Sequence, residues 1–136
     1  MEYQVIASNL PEDAFLRGYL ECAEWCGILD STDDPERESD RAFMEGTSRD
    51  VRWSQSALKS AREDCRDFQD ANADALRASG LSASRAGHDF YLSRNGHGAG
   101  FFDEGCPKAG DLQAAARVYG SADVWYNRKR ARLEFM

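Results

Sequence analysis

A chain of 136 residues with 42% apolar and 30% charged amino acids is sized for one domain with its own core. That composition is not that of a disordered chain, and a net charge of −7 argues against nonspecific nucleic-acid binding by the whole surface. The charge is uneven: residues 1–50 hold 13 acids and 4 bases, whereas 51–136 hold 11 acids and 13 bases.

The first residues, Met-Glu-Tyr-Gln-Val-Ile, lack the basic start and apolar run of an export leader. No stretch approaches the roughly 20 apolar residues of a membrane span. Both features point to a cytoplasmic protein, that of a bacterial host once the resemblance below is included. Its four cysteines, Cys22, Cys26, Cys65 and Cys106, are then expected to stay reduced.

A first helix is expected from Asn9, with Pro11 in its first turn and Asn9 and Glu12 at capping-box spacing. Phe15, Tyr19, Cys22 and Cys26 recur on one face, and Gly27 is a natural stop. Residues 28–50 contain little to bury and read as an exposed acidic loop. A second amphipathic helix starts after Ser54, with Leu58, Ala61, Cys65, Phe68 and Ala75 as its seam, and ends at Gly80.

Asn95-Gly96 between alternating residues is a strong hairpin signal, because a two-residue type I′ turn needs positive φ at both positions. Its register would set Arg94 opposite His97, Phe90 opposite Phe101 and His88 opposite Asp103. A short helix capped by Asp111 follows, with Leu112, Ala115, Ala116 and Tyr119. A second hairpin then joins residues 122–126 to 131–135 across the turn 127–130. The whole predicts an α+β domain spanning 1–136. In it, two N-terminal amphipathic helices pack on a mainly antiparallel sheet of two hairpins joined by a short helix.

Three sets of residues are candidates for function. His88 beside Asp103 would be held in one tautomer and kept protonated, which suits acid–base work in a hydrolase. His97 is the weaker catalytic candidate, since the hairpin sends the two histidines to opposite ends. Arg94, Asn95 and His97 would present a polar turn. Trp125 with Arg128, Lys129 and Arg130 combines aromatic and basic groups that can hold single-stranded nucleic acid, through the hairpin 125–132. The same charges also suit a hairpin tip in solvent or a partner for the acidic 30–40 segment. Cys22 and Cys26 have i, i+4 spacing, but they lie on an apolar face and read as buried thiols rather than metal ligands. No cofactor motif is present.

The stretch Ala86 to Asp103, AGHDFYLSRNGHGAGFFD, resembles the signature of a family of small uncharacterised bacteriophage and prophage proteins. In many of these it reads AGHDF-aromatic-L-S/T-RNGHGAGF-aromatic-D. The likeness extends to Asp64, Cys65, Phe68 and Asn72 and to residues 112–125. It departs at Asn127 to Arg130, where the family has an acidic, glycine-containing turn. The resemblance implies a phage or prophage origin and brings no activity with it. Combined with the acidic first third and the absence of a catalytic motif, it leads to an expectation of a non-enzymatic accessory module. Such a module would bind a host or phage protein.

Overall fold

Phe15, Tyr19, Phe68, Phe90 and Phe101 are all buried and meet in one aromatic cluster, and the helices that carry them define the architecture. The computed structural model describes residues 5–30, 34–96 and 99–136. Helix α1 (Ala14–Glu24) is capped by Asp13, whose Oδ1 accepts the Leu16 N–H at 2.9 Å. Asn9 has a different task from the cap expected of it. Its side-chain amide exchanges two hydrogen bonds with the Trp53 backbone, tying the N-terminal segment to a strand.

Gly27 does not end the first helix. It lies inside a π-helical turn, Trp25–Leu29, that extends α1. A Cβ at Gly27 would come within 2.8 Å of Val124, so the small residue permits close packing there.

The acidic 28–50 segment is also more ordered than a loop. Asp34 caps helix α2 (Pro35–Gly46) and accepts from the Glu36 and Arg37 N–H groups, with Pro35 in the first turn. Only Met44 of α2 is buried, so this helix has no broad apolar stripe. Ser54 caps α3 (Gln55–Ala71), and Ala57, Leu58, Ala61, Cys65 and Phe68 form its buried face. The chain breaks at Asn72 and resumes as α4 (Ala73–Ser79), which ends on left-handed Gly80.

The largest departure concerns residues 83–104. There is no hairpin here: Ser82 caps helix α5 (Ala83–Asn95), and a 3-10 turn spans Phe101–Glu104. Gly96 has φ +65°, but as the left-handed residue after a helix rather than within a type I′ turn. The two-hairpin fold class is therefore overturned. The structure is mainly helical, with one small mixed sheet.

Helix α6 (Ala109–Arg117) begins after Lys108, so Asp111 sits in its first turn rather than at its cap. The C-terminal hairpin forms as expected, from β2 (Val124–Asn127) and β3 (Arg132–Phe135). A short strand, β1 (Arg52–Trp53), adds to the other side of β3 in parallel, giving the order β1-β3-β2.

Helices α1 and α5 touch backbone to backbone. A Cβ on Gly18 would lie 2.2 Å from the Ser84 oxygen, and one on Gly87 would lie 2.0 Å from the Phe15 oxygen. This crossing brings Phe90 against Tyr19, with ring centroids 5.4 Å apart, and Phe68 stacks on Phe90 at 4.2 Å.

Candidate functional site

A 3.6-residue period, not a two-residue one, decides where the 86–104 side chains point. Ala86, Gly87, Phe90, Tyr91, Ser93 and Arg94 all turn inward. Most have a clear structural task. Tyr91 donates to the Ala122 carbonyl at 3.1 Å. Ser93 donates to Gln113 and accepts from the Phe101 N–H, pinning the turn that follows. Gly100 has φ +133°, and a side chain there would strike the Ser93 hydroxyl.

Arg94 and Asn95 are part of this framework rather than an exposed polar turn. Arg94 is only 8% exposed. Its guanidinium bonds Asp64 at 2.8 Å, the Tyr19 hydroxyl at 3.0 Å and the carbonyls of Tyr119 and Gly120. Phe90 and Tyr119 flank it as ring partners. Asn95 accepts from the Ala122 N–H and donates to the Tyr91 carbonyl. Together these two residues fasten the end of α5 to the segment leading into β2.

The His88–Asp103 pair depended on the hairpin register and is lost with it. His88 instead sits one turn from Arg85 and feels Glu104 and Glu21. Burial and the Arg85 charge hold its imidazole below the usual histidine range, so it favours the neutral form. Asp103 is exposed. His97 lies outside the described residues.

The residue that stands out is Asp89. It is 1% exposed, and neither carboxylate oxygen has a hydrogen-bond donor among the described residues. Arg85 Nε is 3.8 Å from Oδ2, beyond hydrogen-bond length. Arg85 instead gives its fork to Glu104, at 2.8 and 3.0 Å. Burial and the neighbouring Glu104 carboxylate push the Asp89 carboxyl up to about 7. Glu104 moves the other way, held low by Arg85 and by the Asp89 contact. An acid of this kind can donate to a carboxylate; two ionised groups could not share the place.

Cys22 and Cys26 are close, with Sγ atoms 3.7 Å apart. Among the described residues no group of three or more His, Cys, Asp or Glu side chains could hold a metal. Nor is any described helix long and apolar enough to cross a membrane.

The basic hairpin tip is partly engaged within the molecule. Arg128 bonds Asp40 and Ser39 at 2.9 Å and lies 4.7 Å above the Phe43 ring. The acidic 30–40 segment thus meets the basic turn in the same chain. Arg49 donates to the carbonyls of Arg128 and Lys129 and braces the turn. Arg130 is exposed.

Beside this contact lies a groove of about 390 Å³. Ile28, Val124, Trp125 and Met136 form its apolar part, and Asp34, Glu36 and Asp40 line its acidic side. Arg37 is the basic group among them, and its Nη1 donates to the carbonyls of Gly27 and Val124. Trp125 is 41% exposed and Met136 is 81% exposed.

Sequence reasoning singled out Trp125 and the acidic 30–40 segment but missed Ile28, Met136 and the helix that sets the acidic residues along the groove. The available signal was Asp34-Pro35 followed by Glu and Arg, a helix start without an apolar stripe. It missed the Asp89–Glu104 contact because the hairpin register turned Asp89 to the opposite face from His88.

The chain matches none of the known protein families, curated proteins or solved structures with which it was compared.

Proposed function

We propose that this chain is a non-enzymatic protein-binding module of phage or prophage origin. It seats a basic segment of a host or phage protein, with one apolar anchor, in the groove beside β2. The carrying observation is the groove itself, where exposed Trp125 and Met136 stand beside the carboxylates of Asp34 and Glu36. Large exposed apolar side chains rimmed by charge are what an interface presents before its partner arrives. Arg37 gives Nη1 to two backbone carbonyls and its Nε lies 3.4 Å from Asp34, and Arg128 pairs with Asp40, so Glu36 is the lining carboxylate with most charge left for a ligand. The phage origin rests on the resemblance of residues 86–103. Arg128 is already paired with Asp40, which favours this reading over nucleic-acid binding through the tip.

Selection from a displayed peptide library tests the proposal. Peptides with Lys or Arg flanking an aliphatic or aromatic residue should be enriched. Trp125→Ala should weaken their binding at least tenfold, about 1.4 kcal/mol. Affinity should also fall as salt rises. A selection without a basic consensus, or peptides that bind Trp125→Ala as well as the parent, would refute it.

A further inference from the structure

Most of the 86–104 stretch is accounted for by packing, capping and turn geometry; Asp89 is not. A carboxyl that is 1% exposed, with both oxygens lacking donors, costs stability as an anion and little as an acid. Glu104, at the end of the 3-10 turn, faces the same guanidinium: Arg85 Nε lies 2.8 Å from Glu104 Oε2 and 3.8 Å from Asp89 Oδ2. Glu104 is held as a carboxylate by the Arg85 fork, so it is an acceptor ready for one proton.

We propose that the Asp89–Glu104 contact is a proton-operated latch. One proton shared between the two carboxyls holds the Phe101–Glu104 turn against α5, and its loss loosens the turn.

The groups facing Asp89 support that sense. From α5 come Arg85 and His88. From the turn come Asp103 and Glu104. From α1 comes the Cys22 thiol, while Glu21 reaches His88. Ionised Asp89 would face two carboxylates, with Arg85 already taken by one of them. The Phe101 N–H bond to Ser93, the buried Phe101 ring and the Arg85 fork on Glu104 keep the turn attached, so loss of the proton loosens it locally and does not unfold the chain.

The sign follows from linkage. Asp89 holds its proton to a higher pH in the closed form than in the open form, where it behaves as an ordinary carboxyl. Opening is therefore favoured about tenfold per pH unit from roughly pH 5 to 7, and the trend levels off above 7. Glu104 is ionised in both forms across this window. His88 opposes the trend below about pH 6.5, because the open form takes up its proton more readily.

Carbon-detected carboxyl titration and amide hydrogen exchange of the full chain, from pH 5 to 8, test the latch. The Asp89 carboxyl should titrate near 7. Protection of the amides at 102–104, corrected for intrinsic exchange, should fall more than tenfold in wild type relative to Asp89→Asn. That variant should keep its protection at pH 8. If Asp89→Asn does not fold, the wild-type titration and exchange decide the matter. An Asp89 carboxyl that titrates in the ordinary range overturns the proposal. So does protection that does not fall with rising pH, or an equal fall in Asp89→Asn.

Discussion

Gly87 sits in the middle of α5, where glycine is a poor choice on helix propensity alone. Replacing an exposed mid-helix glycine with alanine stabilises by about 1 kcal/mol. Here the added Cβ would lie 2.0 Å from the Phe15 oxygen, 2.8 Å from its carbon and 3.1 Å from the Tyr19 nitrogen. A carbon–oxygen contact is comfortable at about 3.3 Å or more, so α5 must retreat from α1 by about 1 Å. The obstacle is backbone, which has no rotamer to yield. Retreat also loosens Phe90 from Phe15 and Tyr19, at present 6.1 and 5.4 Å away. Overpacking of this kind costs about 1–3 kcal/mol or more. Loss of aromatic contact adds to that, and the helix-propensity gain offsets only part. Gly87→Ala should therefore destabilise by about 2 kcal/mol, measured by urea titration at unchanged m-value. Gly110→Ala is the control: it lies in α6, has nothing within 4 Å of the new Cβ and should stabilise by up to about 1 kcal/mol. A Gly87→Ala chain as stable as the parent, or more so, would refute the close crossing of α1 and α5.

Arg94→Ala should cost about 3 kcal/mol, because it leaves Asp64 and the carbonyls of Tyr119 and Gly120 without their donor. Arg94→Lys should fall between, keeping the charge but losing the fork; equal denaturation midpoints for the three chains would contradict this. Thiol chemistry should divide the cysteines. Cys26 and Cys106 are partly exposed, and the contact with the Cys22 thiol holds Cys26 below the usual range. Cys22 and Cys65 are buried and pushed up; the Cys26 contact leads for Cys22, and burial for Cys65. Mass mapping after brief alkylation at pH 8 should find Cys26 and Cys106 modified, with Cys22 and Cys65 protected until denaturant is added. Early labelling of Cys65 would count against the packing of α3 described above.

The start and face of helix α3 were legible because two independent signals agree, Ser54 as cap and a 3.6-residue apolar seam; its end was not, since the expected helix runs on to Gly80 and the chain breaks at Asn72. The C-terminal hairpin was legible from alternation on both sides of a polar turn. The 86–104 stretch was misread for a physical reason. A glycine at positive φ ends a helix as readily as it turns a hairpin, and Asn-Gly fits both. What separates them is which side chains are inside. Ser93, Arg94 and Asp89 are buried polar residues, and polar residues on a core face hide a helical seam from any count of apolar positions. The acidic helix α2 escaped for a related reason: it is held by its Asp34 cap, by Arg37 and Arg41 bonds to carbonyls, and by Met44 alone as a buried residue. The placement of candidate residues held where the local element was read correctly, as for Trp125 on β2. It failed where the element was misread, as with the pairing assigned to His88.

The order of strands has a consequence for synthesis. β3 lies between β1 and β2, so neither outer strand has a strand to pair with until residues 132–135 exist. As the chain emerges from N- to C-terminus, α1, α3 and α5 can collapse around their aromatic rings while Arg52–Trp53, held on one side by Asn9, waits for its strand partner. The sheet then closes as the final event, joining segments 80 residues apart in one step. Trp53 reports that step: it stacks on Phe135, 5.0 Å away, so it finds its ring partner only when the last strand docks.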